Sequence, residues 1–515
     1  MFIDSKTLPE NTTIEADVCI IGAGAAGITL ARDLAGSNRR IAVFEGGGLD
    51  FEQETQQLYQ GEIIGRPYDP LDIERLRFFG GTTNHWSGSC HPFHPIDFEG
   101  WPFGRDVMDP YYRRAQEICQ LGPFTYEPDD WTTQDARPLD FGPAARLKTG
   151  IFQASPPTRF GTVYRQDLEA ANGVSVYLHA NLVKIDTNDT ASEVSGLELA
   201  CLNGRRFSAH GRYYVLAAGG IENPRLLLNA DQVQKGGLGN GFDLVGRYFM
   251  DHPQPAKVAS ILLTDPRANM EFYYWLRTVR GHGVAGYIAP TAELRRQEGL
   301  PAFCITFAPG DPYDIIKAKE SLRSIYRTFK SGHVPDHLLF HVRLILAGVE
   351  SRAIQGYQKF MHNKPVDVLT TYSVGCPPDP ESRVTLTGAV DELGLRRVKL
   401  DWRLPGDFER TMLRAHEILA EELGRNGLGR LRMNSKETGY DPMADFSHGH
   451  HHMGTTRMHG DPHQGAVDEH CRVHGIANLF IGGSSVFPTY SFDNPTMTIV
   501  ALALKLSDHL KSLNG

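Results

Sequence analysis

The stretch ADVCIIGAGAAGITLARDLAGSNRRIAVFEGGG, residues 16–48, constrains the fold more than any other part of the chain. An apolar strand-like run leads through a glycine turn into a helix-period segment and then a second apolar run, which is one βαβ unit. Gly22, Gly24 and Gly27 form GxGxxG directly after DVCII and open AAGITLARDLA. The first glycine permits the turn, the second, just past Ala23, lets backbone amides approach a pyrophosphate, and the third lets helix and strand pack closely. The second strand ends at Glu45, where a carboxylate can accept hydrogen bonds from ribose hydroxyls. A dinucleotide is therefore expected, but these features alone do not separate a nicotinamide cofactor from FAD.

The 515 residues exceed one ordinary core, so two domains built from discontinuous segments are expected. A net charge of -9 leaves no basic footprint, and nucleic acid is not expected as a partner. Seven scattered cysteines without a CxxC pair do not make a disulfide framework or a zinc ribbon, which favours a reducing compartment, the cytoplasm. No apolar run reaches the length that spans a bilayer, and MFIDSKTLPENTTIEADV lacks the basic and apolar regions of an export signal. Export with a partner subunit stays open, as does the oligomeric state.

Further along, MDPYYRRAQEICQLG reads as a short helix, VSVYLHANLVKI and YYVLAAGG as strands, and ENPRLLL as a helix start. The middle, residues 256–350, alternates in short runs such as KVASILL and HLLFHVRLIL, with a helix expected at 313–330. It predicts an antiparallel sheet with helices. Asp407 is placed to cap a helix through Leu423, with Gly424 just beyond its end.

Seven motifs then occur in one order: VFEGGG, FGGTTNHWSG, VLAAGGIENPRLLL, VGRYFMDHP, PDPESRVTL, HHMGTTRM and NLFIGGSSVFPTYSFDNPTMTIVALALKLSDHL. Over essentially its full length the chain resembles the glucose-methanol-choline (GMC) oxidoreductases. The paired glycines Gly482 and Gly483, with Asn494 downstream, are most similar to the pyranose oxidase and sugar dehydrogenase members; many others carry aspartate at position 483. The resemblance implies an α/β FAD-binding, Rossmann-like domain of the p-hydroxybenzoate hydroxylase type, from residues 1–100, 150–255 and 445–515. It also implies an α+β substrate domain on an antiparallel sheet, from 101–149 and 256–444. The implied reaction oxidises an alcohol, a secondary hydroxyl of a sugar, glycoside or polyol first among them, to a carbonyl by proton abstraction and hydride transfer to flavin N5. Oxygen, a quinone or a redox protein would take the electrons. Other readings of the same fold are a non-redox lyase, or a dehydrogenase of aliphatic or aromatic alcohols; a non-catalytic FAD-binding scaffold is a third.

An alcohol gives up hydride readily only as its hydroxyl proton leaves, and histidine suits that task because its unperturbed pKa lies near about 6.5. SHGHHHMGTTRM holds four histidines, and the one in the family's register, three positions before Gly454-Thr455, is His451. On an extended segment His448, His450 and His452 share one face and His451 takes the other. Consecutive histidines beside glycines lack zinc-site spacing, so no metal is assigned there. The second site position implied by the family is Asn494, which would hold the substrate oxygen. Followed by Pro495 and Thr496, it also fits a helix N-cap, and that helix's amino end would favour negative charge on reduced flavin. Gly81, Thr82, Thr83, Asn84 and His85 are expected beside the flavin. His85 is the residue that some relatives link covalently to the flavin 8α carbon and others leave unlinked. Val183 matches a valine whose backbone contacts adenine, and Gly482 is expected near the cofactor.

Overall fold

A computed structural model of the chain describes residues 1–265, 270–309, 368–434 and 446–513, with isolated positions in between. The βαβ unit consists of β1 (Thr13–Ile21), α1 (Ala25–Leu34) and β2 (Ile41–Phe44). Strands covered on both faces read as unbroken apolar runs rather than alternating ones, and Val18, Cys19, Ile20 and all of β2 are buried accordingly. β2 pairs parallel with β1, Val43 lying opposite Ile20. On the other side of β1 lie β3 (Arg206–Leu216) and then β4 (Leu479–Ile481), again parallel. Val174–Leu178 and Phe2–Asp4 extend the sheet beyond β2. Val194–Ala200 and Asn181–Thr187 add antiparallel strands beside β3.

The last helix, α2 (Thr496–Ser512), packs against α1 although nearly the whole chain separates them. Sequence-distant segments thus share one core, which runs from Val18 and Leu30 to Val500 and Leu504.

The middle of the chain forms the expected antiparallel sheet. Its order is Gly429–Met433, Ala259–Leu263, Val368–Val374, Phe303–Pro309, His282–Pro290, Leu147–Ala154 and Ser89–Cys90. The helix Phe408–Arg425 buries Met412, Ile418, Leu419 and Leu423 in a second core. Two details differ from expectation. Asp407 makes no side-chain cap and spends its carboxylate on Arg410 at 2.8 Å, and the helix continues through Gly424. HLLFHVRLIL, expected as a strand, is helical at its described positions, including Leu339, Val342 and Leu346; short apolar runs do not distinguish the two states. The helix expected at 313–330 lies outside the described residues apart from isolated positions.

A short ladder brings two histidine-bearing segments together. Pro253–Pro255 pairs antiparallel with Phe446–His448, and Met250 and Met453 exchange backbone hydrogen bonds of 3.0 Å. His252 and the 449–452 segment are thereby held side by side.

Candidate active site

A cavity of about 660 Å³ is lined by Gly22, Ala23 and Gly24 of the glycine turn, by Glu45, and by Asn494, Pro495 and Thr496 where α2 begins. Gly22 sits at φ +102°, and a Cβ there would lie 2.7 Å from the Ala217 carbonyl oxygen. Only glycine meets both demands without strain. Gly24 caps α1 with no side chain, and a Cβ there would meet nothing within 4 Å. Gly24, Ala25 and Ala26, where this ten-residue helix begins, line the cavity, the position in which a helix amino end receives a phosphate group.

Glu45 lines the same wall while its carboxylate accepts the amides of Ala23 at 2.9 Å and Gly47 at 3.0 Å. It holds the turn as well as facing the cavity. The 80–85 turn docks on this loop through the Gly80 amide, which donates to the Ala23 carbonyl at 2.8 Å. Gly81, Thr82, Thr83 and His85 reach the wall. Burial and the charges of His450 and Arg159 lower the His85 pKa, so the imidazole is neutral at neutral pH.

Four expected cofactor contacts do not lie on the wall: Gly27, Asn84, Val183 and Gly482. Gly27 acts through packing, since its Cβ would fall 1.9 Å from the Gly22 carbonyl oxygen. The Asn84 carboxamide turns back to the Phe79 carbonyl at 3.0 Å. Leu182, the neighbour of Val183, lines the cavity, and the contact expected of Val183 is one of its backbone. Gly482 donates its amide to Leu216 and accepts Asn223, leaving Gly483 on the wall.

The sequence reading missed a charged group on this wall: Arg75, Arg77 and Glu222. Glu222 is 2% exposed and faces Arg225 at 2.9 Å and both Arg75 and Arg77 at 3.4 Å. Burial would raise its carboxyl pKa, but the three guanidiniums outweigh burial and bring it to about 2. No periodicity marks these residues, and Glu222 comes from a segment far in sequence from Arg75 and Arg77.

In the histidine segment the rings diverge, but not by the alternation of an extended strand: the strand ends at His448, and His450 sits in the left-handed region at φ +58°. His448 Nε2 lies 2.8 Å from Glu74 Oε1, His450 Nδ1 bonds Glu74 Oε2, and His452 Nε2 stands 3.6 Å from that same oxygen. Burial would raise the Glu74 pKa, yet these imidazoles hold it well below the usual carboxylate range. His451 points elsewhere: its Nδ1 lies 2.8 Å from His252 Nδ1, and its amide donates to Asp251 Oδ1 at 2.8 Å. Gly449 makes the pairing sterically feasible, because a Cβ there would strike His451 Nδ1 at 2.6 Å. Burial, then the facing His252, His450 and His452, hold the His451 pKa well below the ordinary histidine value. Glu74, Asp251 and His252 were not singled out from sequence, although VGRYFMDHP is one of the seven family motifs.

His451 and Asn494 both line the cavity. Asn494 Nδ2 donates to the Ser89 carbonyl at 3.0 Å, and α2 has Pro495 at its cap position with no side-chain cap bond. The carboxamide is thus not used as a helix cap.

A glycine turn on a helix amino end, a carboxylate at the end of β2 and a neutral histidine on one cavity wall suit a dinucleotide with a redox-active ring, and the residues fit FAD. The fold and site define an FAD-dependent oxidoreductase. The family described as FAD dependent oxidoreductase matches residues 17–296, and the GMC oxidoreductase family matches residues 378–503. The 6'''-hydroxyparomomycin C oxidase of Streptomyces lividus is 35% identical, over 96% of this chain and 91% of that protein. The fructose dehydrogenase large subunit of Gluconobacter japonicus is 22% identical, over 97% and 98%. Among solved structures, pyridoxine 4-oxidase from Mesorbium loti superposes with a TM-score of 0.58 at 15% identity, covering 96% of this chain and 98% of that one. The chain belongs to the GMC oxidoreductases. No helix among the described residues is long and apolar enough to cross a membrane.

Proposed function

We propose that the protein oxidises a hydroxyl group of a sugar, glycoside or related polyol to a carbonyl, with His451 as the base and Asn494 as the anchor for the substrate oxygen. The observation that carries this reading is that both side chains share one cavity with the dinucleotide turn. Gly22, Ala23, Gly24 and the start of α1 would hold the pyrophosphate of FAD, and Glu45 a ribose. The 81–85 turn and the amino end of α2 would lie beside the ring system. Bound FAD supplies the two-electron acceptor.

His451 is kept neutral and can take the hydroxyl proton. For Nε2 to accept it, Nδ1 must carry the hydrogen and donate to His252 Nδ1. Asn494 has a second amide hydrogen and a carbonyl oxygen beyond the Ser89 bond, enough to hold an alcohol oxygen. The sugar preference draws on relatives named for fructose and for 6'''-hydroxyparomomycin C.

The cofactor part of the chain is proposed to comprise 1–100, 150–255 and 445–515 and the substrate part 101–149 and 256–444, the antiparallel sheet of the substrate part also taking in Ser89–Cys90 and the end of Leu147–Ala154. Electrons leave to oxygen, a quinone or a redox protein. Seven buried, unpaired cysteines suit the reducing cytoplasm. His85, on the cavity wall, is the residue a covalent flavin link would use; acid precipitation carries a linked flavin into the pellet and so reports it. The proposal is tested by anaerobic mixing with monosaccharides, glycosides and simple alcohols, then reoxidation with oxygen or a quinone. Bleaching of the flavin by sugars supports it, and a panel in which no alcohol bleaches the flavin refutes it.

A further inference from the structure

Next to Asn494 in sequence lies a second cluster of donors that the chemistry above does not use. Asp493 has a side chain 0% exposed, and His91 and His94 reach it from CHPFH, just after the 80–85 turn. His91 Nδ1 stands 3.3 Å from Asp493 Oδ2 and His94 Nε2 3.7 Å from the same oxygen. The three donor atoms lie within 4.8 Å of one another. The Tyr287 hydroxyl lies 3.3 Å from His94 Nε2. Asp493 Oδ1 and His91 Nδ1 are buried without a hydrogen-bond partner, while the Ser491 hydroxyl donates to Asp493 Oδ2 at 2.9 Å.

These separations suit an ion better than direct hydrogen bonds. An ion bonded to imidazole nitrogen at about 2.0–2.1 Å and to carboxylate oxygen at about 2.0–2.2 Å, with tetrahedral angles, sets its donors about 3.3 Å apart. Hydrogen-bonded partners sit closer. The other histidine-carboxylate group, Glu74 with His448 and His450, fails on this count. Its facing atoms are already in hydrogen-bond contact, at 2.8 Å for His448, so no ion fits between them. Around Asp493 the walls are Phe152, Phe492, Tyr126 and Tyr287, aromatic rings packed on and between the two histidines. A carboxylate wholly buried among such rings is costly unless a cation faces it, and here only the Ser491 hydroxyl and the two imidazoles approach Oδ2.

We propose that His91, His94 and Asp493 bind a divalent transition-metal ion, zinc above all, with the Tyr287 hydroxyl within reach as a fourth donor. Two imidazoles and a carboxylate are a donor set suited to zinc. The ion ties the turn at 91–94 to the residue before Asn494, and so fixes the approach to α2. Its role is structural and independent of which alcohol the enzyme takes.

The test uses FAD-loaded protein made in zinc-supplemented medium and passed over a chelating resin. Elemental analysis is expected to find about one zinc per chain. Zinc-edge X-ray absorption should show only nitrogen and oxygen neighbours, two imidazoles included, at about 2.0–2.2 Å. His91→Ala and Asp493→Asn should each lower zinc affinity at least about tenfold, while Glu74→Gln keeps it. The proposal is overturned if wild-type protein holds no zinc even after direct titration with zinc, or if the absorption spectrum shows a sulfur neighbour. Zinc lost with Glu74→Gln but retained with Asp493→Asn overturns it equally.

Discussion

His451 and His252 face each other through their Nδ1 atoms at 2.8 Å, so one must donate and the other accept. A base that uses Nε2 requires His451 to be the donor. If His451 is the base proposed above, His252, fully buried beside the Asp251 that receives the His451 amide, is the residue that would position it.

His252→Ala is expected to leave FAD bound and KM little changed while the rate of flavin reduction falls by about 10–100-fold, the usual cost of losing a partner that orients a reactive imidazole. Stopped-flow reduction with equal flavin content in both proteins checks this. An unchanged rate would show that the pair does not set the tautomer.

The low pKa of His451 gives a pH dependence of definite sign. A histidine base works when neutral, so kcat/KM should be lost only as pH falls through the lowered pKa, below about 6.5. A pH profile of anaerobic reduction that stays flat through that value and declines at more acid pH agrees. A decline centred at or above it does not.

Glu74 is expected to matter for stability. Its side chain is inaccessible to solvent and meets three histidines, so Glu74→Ala, which leaves them without their carboxylate, should cost roughly 3 kcal/mol. A depressed carboxylate pKa contributes stability above the unfolded value of about 4.3 and loses it as pH falls. His450, whose pKa the Glu74 bond raises, contributes below about 6.5 and loses it as pH rises through its raised value. Denaturant melts should therefore show the largest deficit between about pH 4.5 and 6.5.

How much of the fold and site was legible in the sequence differs by element. The glycine turn was, because Gly22, Gly24 and Gly27 act on backbone within a few residues of themselves. The separate facing of His451 was expected from alternation along an extended segment, but His450 adopts a left-handed conformation at φ +58°, a departure that no local pattern announces. Glu74, Arg77 and His252 were not: each acquires its meaning from a residue far away in sequence, and a lone Glu or Arg carries no local pattern. HLLFHVRLIL failed because a short apolar run fits a strand or a helix.

Gly24 and Gly27 of the turn should separate cofactor binding from folding. Gly24→Asp adds a negative side chain where a Cβ meets nothing, so the protein should fold with a near-normal melting temperature yet purify without flavin. Gly27→Val forces backbone apart at a contact of 1.9 Å and should give little soluble protein. Flavin content and thermal melts distinguish the two; a Gly24→Asp protein that retains FAD contradicts the phosphate cradle.

The role of His451 as the base is tested most directly by anaerobic flavin bleaching with the most reactive sugar of the panel, comparing wild type with His451→Ala at equal bound FAD. Rapid bleaching is expected in wild type and a rate lower by about 10²–10⁴-fold in the variant. Equal rates in the two proteins would contradict that role.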